Sequence, residues 1–82
     1  MSRDTFILDP HLEIYTEREC ERIQSETGDY PIDWMTEVAE DAQISWTEDG
    51  FLDYDSAEFE ITEHADTYIN FIRENYPEDM PK

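Results

Sequence analysis

Basic residues are nearly missing from this chain: Lys and Arg together number 5 in 82 residues, and none lies between Arg22 and Arg73. That scarcity argues against direct binding to nucleic acid, since phosphate contacts depend on clustered Lys and Arg. Attraction to an anionic membrane surface is excluded for the same reason. Cys20 is the only cysteine, so no disulfide forms within the chain and no oxidising compartment is required. No apolar run approaches the ~20 residues that a bilayer-crossing helix needs. The opening Met1-Ser2-Arg3-Asp4-Thr5 lacks a charged segment followed by an apolar one, so a signal peptide is not expected and a reducing, cytoplasmic setting is. Only 2 glycines and 4 prolines occur, too few for a linker or a low-complexity segment, and residues 1–82 read as one domain.

Carboxylates fill the space that cations leave. Asp and Glu number 23, the formal charge is −18, and fourteen of the acids fall between Ile23 and Ile72. A disordered acidic tail would lack aromatic and branched residues. Here Trp34, Val38, Ile44, Trp46, Phe51, Leu52, Phe59, Ile61, Tyr68, Ile69 and Phe71 are interleaved with the acids. The combination implies a folded core that tolerates strong self-repulsion, and such a field calls for an explanation outside fold stability.

The periodicity predicts helices at two places. Ala65, Tyr68, Ile69, Ile72 and Tyr76 share one helical face, with Thr62 as N-cap and Pro77 as stop. Trp34, Met35, Val38, Ala39 and Ala42 form a second stripe, begun by Asp33 or by Tyr30-Pro31. Between them the pattern reads as β. Gln43–Thr47 and Phe51–Tyr54 flank a Glu48-Asp49-Gly50 turn, and Ala57-Glu58-Phe59-Glu60-Ile61 alternates with period two. Ile44, Trp46, Leu52, Tyr54, Phe59 and Ile61 would then face the helices. Near the N-terminus, Asp9-Pro10 opens a helix running to about Glu26, or Thr16-Glu17-Arg18-Glu19 is a capping box preceded by extended Leu12–Tyr15. The alternation of Leu12 and Ile14 favours the second. The expected fold class is α+β, a small three- or four-stranded antiparallel sheet packed against two or three helices.

Catalytic constellations are not found. Cys20 lies between Glu19 and Glu21, which oppose a thiolate, and reads as a buried structural thiol. His64 and Asp66 sit two apart on a helix and do not face each other, so His64 reads as an exposed first-turn histidine. The chain has three Cys and His residues in all, fewer than a structural zinc site takes. Asp53-Tyr54-Asp55 begins like a calcium loop, but Glu58 stands where the loop glycine belongs. No catalytic residue, metal or cofactor is expected, and the chain does not read as an enzyme.

The field itself points to a basic partner. Duplex DNA carries one charge per ~1.7 Å of axis, so eighteen net charges match roughly 30 Å of duplex. As strand neighbours Glu58 and Glu60 would be about 6.5 to 7 Å apart, close to successive phosphates. On a helix Glu37 and Asp41 would be about 6 Å apart. The expected partner-binding set is Glu37, Glu40, Asp41, Glu48, Asp49, Asp53, Asp55, Glu58, Glu60, Glu63 and Asp66, with Trp46, Phe51 or Phe71 at its rim. In size, charge and mixed α/β pattern the whole chain resembles the small acidic DNA-mimic inhibitors of phages and other mobile elements. Those are the anti-CRISPR proteins first, then anti-restriction proteins and uracil-DNA glycosylase inhibitors; no diagnostic motif carries the likeness. The resemblance implies a monomer or homodimer in a bacterial host cell that occupies the DNA- or PAM-binding groove of a CRISPR effector complex, or another basic DNA-binding protein. Two alternatives stand beside it: an antitoxin-like acidic module that neutralises a basic partner, and a halophile-adapted small domain.

Overall fold

In the computed structural model, which describes residues 7–76, the chain forms three helices and one minimal hairpin. Helix α1 spans Pro10–Thr27, α2 Ile32–Ser45 and α3 Tyr54–Asn75; strands β1 (Thr47–Glu48) and β2 (Phe51–Leu52) link α2 to α3. The expected α+β sheet is not there. Two strands of two residues each pair antiparallel, Thr47 with Leu52 and Glu48 with Phe51, and they are the whole of the sheet among the described residues. The architecture is a three-helix bundle.

Over five residues the α3 pattern is indistinguishable from a strand alternation, and only the longer spacing shows the helix. Ala57 and Ile61 satisfy a two-residue alternation, but they are also four apart, and the spacing continues through Ala65 and Ile69 to Ile72. All five are buried on α3. Phe59, the inward residue of the imagined strand, is 66% exposed, and Ile44, Trp46 and Tyr54 are exposed with it. The segment from Gln43 to Ser45 is the end of α2, and Thr62 lies inside α3 rather than at its cap. The true cap is Asp53, whose carboxylate accepts hydrogen bonds from the Ser56 amide (3.2 Å) and the Ser56 hydroxyl (2.7 Å). Pro77, the expected stop, lies outside the described residues, as does the Met1–Thr5 segment.

The N-terminal ambiguity resolves to the Asp9-Pro10 start. Asp9 accepts from the His11 amide at 2.9 Å, and Pro10 occupies the first turn, where its missing N–H costs nothing. Thr16 is therefore no cap. It is buried within α1, and its hydroxyl donates to the Leu12 carbonyl at 2.7 Å, as that of Thr27 does to Ile23 at 2.8 Å. Gly28 ends α1 in the left-handed region at φ 86°, where a side chain would be strained. The Tyr30-Pro31 pair, one of the two starts considered, opens α2.

The side-chain pairs fix the topology. His11 meets Glu58, Tyr15 meets Thr62 and Glu26 meets Arg73, always 47 residues apart, so α1 and α3 run in the same direction. Gln43, near the end of α2, receives the Asp9 amide at 2.8 Å, so α2 runs antiparallel to α1, and hence to α3. Between the three lie Leu12, Cys20, Ile23, Met35, Val38, Ala39, Ala42, Ala57, Ile61, Ala65 and Ile69. Four alanines in that cluster let the axes approach, while each fully buried Leu or Ile contributes about 1.5–3 kcal/mol.

Because the Asp53 carboxylate caps the start of α3, Asp53→Ala should lower the thermal midpoint by roughly 5 °C. The Ser56 bonds hold its carboxyl below the ordinary value of 3.8, so the cap stabilises above that pH and is lost as pH falls through the lowered value. Thermal melts of the parent and the variant should therefore differ at pH 7 and converge in strong acid. A gap that stays constant into strong acid would show that the ionised cap is not the cause.

Candidate partner-binding surface

The acids do not form one band; among the described residues it is the cations that are confined, to α1 and the end of α3. Carboxylates stand on the outer faces of all three helices, including Glu13, Glu17 and Glu21 on α1. Among the described residues the cations are Arg18, Arg22 and Arg73, which lie on α1 and in the last turn of α3. Two of them are consumed where α1 meets α3. Arg22 donates to Glu19 (2.9 Å) and Asp66 (2.8 Å), bonds that keep its guanidinium firmly protonated, and Arg73 pairs with Glu26. In that seam two guanidiniums face three carboxylates, so most of the local charge is offset. Helix α2, the hairpin and α3 from Tyr54 to Ile72 contain no basic side chain except histidine.

On α2 the reason for one acidic face is helical spacing. Met35, Val38, Ala39 and Ala42 point inward, so the opposite arc collects Asp33, Glu37, Glu40 and Asp41 together with Ile44. Neighbours four apart on this arc lie about 6 Å from one another, as expected for Glu37 and Asp41. Asp33 belongs to the same row. Sequence reading treated it only as a helix start, although its spacing of four from Glu37 and eight from Asp41 would have identified it. Glu48 and Asp49 follow on the hairpin, both exposed.

Other expected site residues are drawn elsewhere. Glu58 and Glu60, two apart on a helix, point roughly 200° away from each other and cannot act as adjacent phosphates. Glu58 turns to α1 and pairs with His11, whose ring meets Tyr54 edge-on at 5.0 Å. Glu60 turns to the hairpin and accepts from the Trp46 indole N–H at 3.0 Å. Asp53 is a helix cap and Asp66 belongs to the arginine seam. Asp55 and Glu63 are exposed on α3. The continuous row once expected from Asp53 to Glu60 is thus divided among three directions.

The remaining polar groups are structural. His64 is in the middle of α3 rather than its first turn, half-buried, with Nδ1–H donating to the Glu60 carbonyl at 2.8 Å and Trp34 at 6.0 Å. Among the described residues no three His, Cys, Asp or Glu side chains are grouped to hold a metal, and no helix is long and apolar enough to cross a membrane. Cys20 is buried, as expected, and its pKa is pushed up to about 11 by burial, then by Glu17 and Glu19 rather than Glu21. A thiol so held contributes stability below its unfolded value near 9.0 and loses it as pH rises to about 11. The unfolding free energy should therefore fall across that interval, by up to about 2 kcal/mol more in the parent than in Cys20→Ala, where the raised Tyr30, Tyr54 and Tyr68 still titrate. Rapid labelling of the native thiol at neutral pH would contradict this placement.

Fold and surface together define the class: a small, strongly acidic three-helix bundle in which the described arginines stand on α1 and at the end of α3. No family model, curated protein or solved structure matches the chain.

Proposed function

We propose that the protein is a non-catalytic inhibitor that imitates DNA, its carboxylate surface occupying the cationic nucleic-acid groove of a partner protein. The observation that carries this reading is the outer face of α2, where Asp33, Glu37, Glu40 and Asp41 stand with no arginine or lysine on that helix or on the hairpin beyond it. Charge density supports it. Residues 7–76 hold twenty carboxylates against three arginines, and the long axis measures 46 Å. A duplex of that length carries ~27 phosphate charges, so the bundle reaches roughly two-thirds of the line charge of DNA. A rigid helix presents these charges already ordered, and it offers neither bases nor a scissile backbone.

The first candidate partner is a CRISPR effector complex, whose PAM- and DNA-binding groove is lined with arginine and lysine; a restriction enzyme or another basic DNA-binding protein is next. Inhibition of this kind takes place in the bacterial host cytoplasm and requires no cofactor. Binding isotherms against a panel of such purified proteins test it. Affinity should fall steeply with added salt, in parallel with the affinity of duplex DNA for the same protein. A partner that binds with a salt-insensitive affinity would overturn the electrostatic basis of the proposal.

Adaptation to molar salt is the competing account of the same composition. It predicts a chain unfolded in dilute buffer, whereas the decoy has to be helical there. Circular dichroism in a salt titration separates the two.

A further inference from the structure

The hairpin turns two aromatic rings away from the core. In an antiparallel pair the side chains of directly opposed residues share a face. Leu52, opposite Thr47, packs against the core, so Glu48 and Phe51 point outward. Trp46, which ends α2 just before β1, accepts from the Asp53 amide at its carbonyl (2.8 Å), and its side chain is 40% exposed. A hollow of about 520 Å³ opens there, lined by Trp46, Phe51, Glu48, Asp49 and Asp53 among others. Phe51 is 80% exposed. Trp46 is held by its N–H bond to Glu60, and no other aromatic ring among the described residues stacks on it. Asp49 and Gly50 both have positive φ, 54° and 82°, so the turn is the tight two-residue type that matches strand twist.

We propose that this hollow receives an arginine side chain of the partner protein, the guanidinium stacking on Trp46 and Phe51 and its charge met by Glu48 and Asp49. The inference deepens the decoy reading and rests on it, because a DNA-binding groove is where such arginines are found. Aromatic walls select a flat cation. A guanidinium is planar and weakly hydrated, and it stacks on rings better than an ammonium does. A nucleobase would also stack, but its phosphate would meet three carboxylates. A second copy of this chain would bring a charge of −18 to the same place.

The test uses the ¹⁵N-labelled full chain and N-acetyl-arginine amide as probe, with the lysine and norleucine amides as comparisons. Trp46 and Trp34 give separate indole N–H signals, so the location of binding is read directly. The Trp46 indole and the Gly50 amide should shift saturably and the Trp34 indole should not. The arginine probe should bind roughly threefold tighter than the lysine probe. Phe51→Ala, at a position too exposed to affect folding, should weaken arginine binding by a similar factor. Shifts spread equally over Trp34 and α2, equal responses to arginine and norleucine amides, or unchanged affinity in Phe51→Ala would overturn the site. No macromolecular partner enters this experiment. Its failure would leave the decoy reading standing, and failure of the decoy reading would leave the shifts unaltered.

Discussion

Asp33→Lys combined with Asp41→Lys should weaken partner binding about a hundredfold at low salt and leave a folded helical bundle. Both residues are exposed on the outer arc of α2, eight apart and so about 12 Å along the helix axis. Reversal removes two attractive contacts and creates two repulsive ones, and like charges forced together across an interface cost several kcal/mol. The folded state changes little. Asp33 in the first turn favours the helix dipole by about 0.5 kcal/mol, and relief of self-repulsion offsets that loss. The comparison variant is Glu17→Lys with Glu21→Lys on the outer face of α1, beside Arg18, where binding should change only slightly. If the α1 pair abolished binding and the α2 pair did not, the binding face would have been assigned to the wrong helix.

Ile61→Ala should cost about 3–4 kcal/mol, enough to leave a domain of this size largely unfolded at 37 °C. The side chain is fully buried midway along α3, in the cluster shared by all three helices. Truncation loses the transfer energy and leaves a cavity, and an 82-residue chain with strong like-charge repulsion has little stability in reserve. Phe59→Ala, two residues away and mostly solvated, should cost less than about 1 kcal/mol. Urea denaturation followed by circular dichroism measures both. A strand over Ala57–Ile61 would make the two losses comparable, so near-equal values would refute the helical placement.

How far the fold could be read from the sequence depended on the length of the repeating signal. The apolar face of Ala65, Ile69 and Ile72 and the stripe of Met35, Val38, Ala39 and Ala42 were legible, because each repeats helically over at least two turns and each is buried. The segment from Gln43 to Ile61 was misread. Its aromatic and branched residues have high β propensity, but propensity yields to burial, and Ala57 and Ile61 continue the α3 face. The Glu48-Asp49-Gly50 turn was legible for a local reason, since a tight two-residue hairpin needs positive φ at Gly50. At α1 two caps competed. Asp9-Pro10 prevailed because starting there buries Leu12 and Thr16 on the same face as Cys20 and Ile23.

The candidate surface was legible as composition and less so as arrangement. Glu37, Glu40 and Asp41 lie together as their spacing requires. Glu58 and Asp66 are diverted into pairs with His11 and Arg22, contacts 47 and 44 residues distant that no local pattern encodes. The pairing of Arg22 and Arg73 along the α1–α3 seam is likewise a tertiary effect.

The central claim is that a cationic groove accepts this surface in place of its polynucleotide, and competition measures that directly. A partner protein loaded with labelled duplex DNA is titrated with the bundle at constant ionic strength. The account predicts full release of the duplex, with a half-maximal bundle concentration that rises as the duplex concentration is raised. A ternary complex, in which protein, duplex and bundle persist together, would contradict it.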